Sequence, residues 1–162
     1  MAWGVGLHFA VEALLLALVV LGATQEPPDP PVLPRWEYVD SVGLVASKLQ
    51  GRRDIAAAIM EHKGDFGWRL IVGVIKTENP WLLADTVNWY GATGLMQVVP
   101  RLWLGRYPEC GTDLTNVRTN ICYGAQVLRW HIRVAGSLDQ GLADYSGHAR
   151  GYVRRVYERG EL

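Results

Sequence analysis

Apolar positions along the 162 residues fall into two regimes separated by a run of prolines. From Trp3 to Leu21 nearly every residue is apolar, interrupted by His8 and Glu12. That run is close to the ~20 residues needed to span a bilayer. Its purest part, Ala13 to Leu21, also has the length of a signal-peptide core, and Gly22-Ala23 is placed to precede a cleavage site. No lysine or arginine precedes Arg35, so the positive leader of a signal peptide and the usual orientation cue are both missing. Glu12 at mid-membrane would cost about 3 kcal/mol unless paired or protonated. Residues 1–23 are expected to form a hydrophobic helix, either a transmembrane anchor or a signal peptide. Glu26 to Pro34 then carries five prolines in nine residues. This favours extended polyproline II, a stiff spacer of about 3 Å per residue. Residues 24–35 are read as this linker and 36–162 as the folded domain.

In the second regime the period becomes helical. Val39, Val42, Leu44, Val45 and Leu49 recur at helical spacing and stop at Gly51. Arg52 to His62 is alanine-rich, with Ile55 and Ile59 on one face. Asp65 is placed to cap a third helix through Phe66, Trp68, Ile71, Val74 and Ile75, and Glu78 extends that stripe until Pro80 stops it. Leu83 to Gly94 mixes turn residues with β-formers and suits a small sheet or an irregular loop. Pro100 can open a short helix to Gly105. Asp113 or Thr115 can cap a long one, Asn116 to Val134, with Ile121, Ala125, Leu128 and Ile132 inward and Gly136 as its stop. Leu138 to Tyr145 and Arg150 to Arg159 are the last two. The pattern is mainly α.

Composition changes this picture little. Acidic and basic residues balance at 16 each, which supports no nucleic-acid partner, because such partners usually need a basic face. Cys110 and Cys122 fit neither a CxxC redox pair nor a zinc site. Bracketing a short loop, they suit a disulfide in an exported protein, worth about 3 kcal/mol in the chain-entropy picture, or two buried thiols. No metal or other cofactor is expected.

The candidate chemistry centres on Glu78. An inward-facing carboxyl at a helix C-terminus has its pKa raised by burial and by the negative end of the helix dipole. A protonated glutamate is what a general acid needs to protonate a glycosidic oxygen. Taken alone, such a residue is more often a solvated glutamate at a frayed helix end. Trp81, Trp89, Tyr90 and Trp103 lie nearby along the chain, and flat aromatic faces either stack on sugar rings or pack in a core. Gly91 and Gly94 let the backbone approach a ligand or make turns, and Gln97 offers hydrogen bonds in both directions.

Glu78 followed by Gly91-Ala92-Thr93-Gly94-Leu95-Met96-Gln97 and Pro100 resembles the ES…GAxGLMQxxP pattern of soluble lytic transglycosylases, glycoside hydrolase family 23. Asn120-Ile121-Cys122-Tyr123-Gly124-Ala125 with Leu128 resembles that family's N-I-x-x-G-A-x-x-L helix. Ala143-Asp144-Tyr145-Ser146-Gly147, with Tyr152 and Val156, resembles its AYNAG segment and the helix after it. Asn79 stands where the family has serine, Asn88 where it has a second serine, and Ser146 where it has asparagine.

The resemblance implies a lysozyme-like domain, mainly α with at most a small β element, behind the amino-terminal hydrophobic helix. It implies Glu78 as the sole catalytic acid and base. Asn88, Gly94, Met96 and Gln97 would meet the glycan. Tyr145 would hydrogen-bond or orient Glu78, and Ser146 and Tyr152 would support that wall. The implied reaction is cleavage of the β-1,4 bond between N-acetylmuramic acid and N-acetylglucosamine in peptidoglycan, closing a 1,6-anhydro ring. A goose-type lysozyme would add water instead and need another carboxylate, with Asp85, Asp113 and Asp144 available by composition. A non-catalytic wall-binding or structural component would keep the groove without needing Glu78. The expected partners are peptidoglycan glycan strands, a membrane through the amino-terminal segment, and proteins of an envelope machine or a virion. The expected location is membrane-anchored or exported, outside the cytoplasmic membrane, or at a phage virion membrane.

Overall fold

Helical spacing in the sequence becomes seven α-helices over residues 35–162, the range that the computed structural model describes. The hydrophobic helix expected over 1–23, its reading as anchor or signal, and the linker up to residue 34 lie outside the described residues. α1, Arg35–Ser47, runs into a turn that closes at Gly51, whose amide donates to Ala46 O at 2.9 Å. α2, Arg53–His62, buries Ile55 and Ile59 completely, as the alanine-rich face predicts. α3, Trp68–Glu78, buries every residue from Leu70 to Ile75. α4, Pro100–Trp103, has proline in its first turn and stops short of Gly105, because Leu104 is extended at ψ 132°. A 3-10 turn, Pro108–Cys110, precedes α5, Val117–Ala135. α6, Leu138–Tyr145, and α7, Tyr152–Gly160, complete the order.

Two of the expected caps are misplaced. Asp65 does not cap α3: the helix starts three residues later, after an extended Gly67 that offers no side-chain cap, and Asp65 instead faces Arg129 at 3.4 Å. α5 is capped neither by Asp113 nor by Thr115. Asn116 caps it, accepting from the amides of Arg118 and Thr119 at 3.0 and 3.1 Å. The Asp113 carboxylate is already taken by a tight turn, accepting from the Thr115 amide and hydroxyl.

The loop between α3 and α4 is irregular. Its β content among the described residues is two isolated antiparallel bridges, Val87 with Thr93 and Thr93 with Val98. The domain is thus mainly helical with a minimal β element. Cys110 and Cys122 form a disulfide, with Cα atoms 5.5 Å apart, that ties the 3-10 turn to α5. Among the described residues no helix is long and apolar enough to cross a membrane.

Packing of α3 on α7 is the feature that positions the site. The two helices touch most extensively, and they meet at glycines. A Cβ on Gly73 would lie 2.3 Å from Val156 O, and one on Gly160 would lie 2.5 Å from Arg69 O. With no side chain at either position, the backbones approach within contact distance. α7 then runs beside α3 and carries its first residue, Tyr152, to the end of α3 where Glu78 sits. α5 and α6 form a second close pair, where Gly141 lies against the backbone of Ile132.

Candidate active site

Glu78 is the last residue of α3, and the chain turns away directly after it. Asn79 makes that turn. It is buried, donates to Leu83 O at 2.6 Å and to Gly94 O at 3.3 Å, and accepts from the Leu83 amide. The residue that stands where the family pattern has serine therefore works as a latch. It folds the segment after the helix back toward the Gly94–Gln97 turn.

That turn is held from beneath. Gly94 has φ +79°, a left-handed conformation that glycine adopts without steric cost. A Cβ there would lie 2.2 Å from Asn120 Nδ2. Asn120 is completely buried on α5, accepts from the Met96 amide at 2.8 Å, and donates to Thr93 O and Leu114 O at 2.9 Å each. Met96 is fully buried, its side chain lying over Gly124, where a Cβ would approach Met96 Sδ to 2.4 Å. The Tyr145 hydroxyl donates to Met96 O at 2.8 Å.

These elements wall a groove of about 740 Å³. Of the residues expected to meet substrate, Glu78, Asn88, Gln97, Tyr145 and Ser146 line it. Gly94, Met96 and Tyr152 do not. Gly94 and Met96, expected to meet the glycan, are both buried and shape the turn from below. Ser146 donates to Ala143 O at 2.8 Å and accepts from the Ala149 amide, so its hydroxyl braces the turn after α6. Gln97 Nε2 donates to Gly94 O at 2.8 Å, which fixes the side chain along its own turn. Asn88 Oδ1 accepts from the amides of Tyr90 and Ala92, holding the lip of the groove.

The contact expected of Tyr145 is made by Tyr152 instead. The Tyr152 hydroxyl donates to Glu78 Oε1 at 2.6 Å, while that of Tyr145 is spent on Met96 O. The cause is the glycine-mediated approach of α7 to α3, which brings Tyr152 against the carboxyl. Among the described residues no hydrogen bond is made to Oε2 of this groove-lining carboxyl.

Burial raises the Glu78 pKa above the ordinary carboxyl value, outweighing the Tyr152 hydrogen bond and the Arg155 charge, both of which favour the carboxylate. Tyr145 and Tyr152 are pushed well up, first by burial and then by the Glu78 charge, so both remain hydroxyl donors. Burial pushes His131 down on the groove wall, with Asp144 opposing. Asp144 also lines the groove, but its carboxylate accepts from Gln140 Nε2 at 2.8 Å and lies 3.4 Å from His148 Nε2. Asp113 lines a different cavity, and Asp85 is exposed outside the groove. Among the described residues no group of three or more His, Cys, Asp or Glu is placed to hold a metal ion.

Four roles are not readable from the motifs that name or neighbour these residues: Asn79 as a latch, Asn120 as a buried clamp, Arg155 near Glu78, and the glycines at the α3–α7 crossing. Asn120 had a readable signal, since it stands beside Ile121 at the start of the inward stripe of α5, and a polar residue there needs partners. Comparison of the chain with protein-family models, with curated proteins and with solved structures finds no match.

Proposed function

We propose that residues 36–162 form a lysozyme-like lytic transglycosylase domain that cuts the N-acetylmuramic acid–N-acetylglucosamine β-1,4 bond of peptidoglycan. One observation carries the reading. A half-buried glutamate with a raised pKa ends a helix in a groove of about 740 Å³, held through one oxygen by a tyrosine, with no hydrogen bond at the other among the described residues. Such a carboxyl is suited to give a proton and then take one back.

In the first step the Glu78 carboxyl donates its proton to the glycosidic oxygen. The bond from that oxygen to C1 of the muramic residue breaks, and the N-acetylglucosamine end leaves with a free 4-hydroxyl. The acetamido oxygen beside C1 stabilises the positive centre. In the second step the Glu78 carboxylate takes the proton of the muramic C6 hydroxyl as O6 bonds to C1. The glutamate ends protonated, no water is consumed, and a single carboxyl serves both steps. Tyr152 keeps Oε1 oriented throughout and lowers the cost of the carboxylate between the steps.

A hydrolytic outcome, as in goose-type lysozymes, needs a second carboxylate to position water. Asp144 is the groove carboxylate it would call on, and Gln140 and His148 already engage that group. On this reading residues 1–23 anchor or export the chain and 24–35 space the domain from the membrane. The enzyme then opens wall locally, outside the cytoplasmic membrane or at a virion membrane, with envelope-machine or virion proteins as partners.

The test is clearing of purified cell walls. Glu78→Gln, folded by circular dichroism, is expected to lose clearing. Undiminished clearing by that variant would instead favour another active residue or a non-catalytic wall-binding role for this groove.

A further inference from the structure

Trp89 is the most exposed large apolar side chain among the described residues, at 89% of its surface. A tryptophan left in water forgoes the burial that ordinarily stabilises it. This one nevertheless sits on backbone that is tightly fixed. Asn88 Oδ1 accepts from the amides of Tyr90 and Ala92 at 2.8 and 3.0 Å. The Asn88 amide donates to Ala92 O at 3.0 Å, and the Gly91 amide donates to Asn88 O at 2.9 Å. The Trp89 ring stands edge-on to Tyr90, with centroids 4.3 Å apart. The Arg101 guanidinium lies over the Tyr90 ring, 5.8 Å from its centre. An exposed aromatic on braced backbone loses little freedom when it binds, which is the condition for an efficient contact.

Position tells what it meets. Trp89 and Tyr90 line the groove that holds Glu78, whereas Trp81, also well exposed, does not. The same groove is lined by hydrogen-bonding and charged groups, Asn88, Gln97 and Arg101. A flat apolar face in a groove that also carries polar groups matches a pyranose, whose C–H face is apolar and whose edge carries hydroxyls and acetamido groups. A lipid tail would leave those polar groups unsatisfied. The family pattern quoted above assigns nothing to positions 89 and 90.

We propose that Trp89, braced by Tyr90, is a stacking platform for one sugar ring of the bound glycan, a subsite that sets affinity for the strand and not the bond-breaking step. The proposal rests on the glycan-cleaving reading of the groove. It is tested on the full chain carrying Glu78→Gln, with chitohexaose titrated calorimetrically. Adding Trp89→Ala is expected to weaken binding about tenfold. Adding Trp81→Ala is expected to leave it unchanged. Truncating so exposed a ring removes no core contact, and circular dichroism checks the fold of each variant. Unchanged affinity in the Trp89→Ala chain overturns the platform while leaving the catalytic reading intact, if the wild type still clears walls. Failure of the Glu78→Gln chain to bind chitohexaose at all overturns the platform. Combined with a wild type that clears no wall, it overturns the catalytic reading too. Loss of binding to phosphatidylglycerol vesicles on Trp89→Ala, with chitohexaose affinity intact, would make the occupant a lipid surface and also overturn the proposal.

Discussion

Replacing Asn120 by alanine tests how the site is built. The side chain is completely buried and makes three hydrogen bonds, all to backbone atoms of other segments. Thr93 O would keep a partner, because the Val98 amide also donates to it at 3.0 Å. The Met96 amide and Leu114 O would lose the side-chain partner that Asn120 provides. Leaving a buried polar group unpaired costs about 1–3 kcal/mol, and a lost hydrogen bond about 1 kcal/mol. The sum is roughly 4 kcal/mol, or about 15 °C in Tm for a domain of this size. Urea denaturation should show a lower midpoint with an unchanged slope. Asn120→Asp is a sharp control. It keeps an acceptor for the Met96 amide but sets an oxygen against Thr93 O and Leu114 O where Nδ2 donated, so it should also destabilise. Asn116→Ala, which removes only the α5 cap, should cost about 1 kcal/mol. If Asn120→Ala cost no more than that exposed cap, the clamp would not be what holds the Gly94–Gln97 turn.

Three further outcomes follow from the same contacts. Glu78 has a folded pKa above its ordinary value of 4.5, so the native state binds that proton more tightly and its contribution to stability falls as pH rises from 4.5 through the raised value. Glu78→Gln should therefore gain stability relative to wild type across that window, and a difference that stays flat with pH in thermal melts would contradict the burial. Tyr152→Phe removes a donor that favours the carboxylate, which shifts the Glu78 pKa further up. The alkaline limb of its pH–rate profile for wall clearing should move to higher pH, and an unmoved or lowered limb would count against the contact. Gly73→Ala places a Cβ 2.3 Å from a backbone carbonyl that cannot step aside, and should cost about 2 kcal/mol and reduce clearing. Gly67→Ala, which meets nothing within 4 Å, should leave the melting temperature nearly unchanged.

Helices were legible where a long apolar stripe met a clear stop. α5 ends at Gly136 and α6 spans Leu138–Tyr145, as the spacing predicts, because local periodicity and local breakers determine both. Caps were less legible. Asp113, Thr115 and Asn116 are all competent caps by type, and the choice of Asn116 follows from Asp113 being held in its own turn. Within the site, the position of Glu78 at the inward-facing end of a helix is legible from its stripe and Pro80, but the groove it lines is not, because that groove is walled by segments distant in sequence. Which tyrosine reaches it could not be read, because that depends on how closely α7 crosses α3. The crossing is governed by Gly73 and Gly160, residues that lie 87 positions apart and whose role is only the absence of a side chain. Asn79 was similarly opaque: a polar residue after a helix reads as a surface group until its burial and its bonds to Leu83 and Gly94 are seen.

The central claim is that one carboxyl, Glu78, both gives and takes back the proton, so that the sugar closes on itself instead of adding water. Mass analysis of the muropeptides released from purified peptidoglycan by the full chain tests this most directly. The account predicts products ending in 1,6-anhydro-N-acetylmuramic acid, lighter by one water than their hydrolysed counterparts, and none from Glu78→Gln. Products with reducing N-acetylmuramic acid ends and no anhydro form would contradict it and point to a second carboxylate, with Asp144 the first to replace.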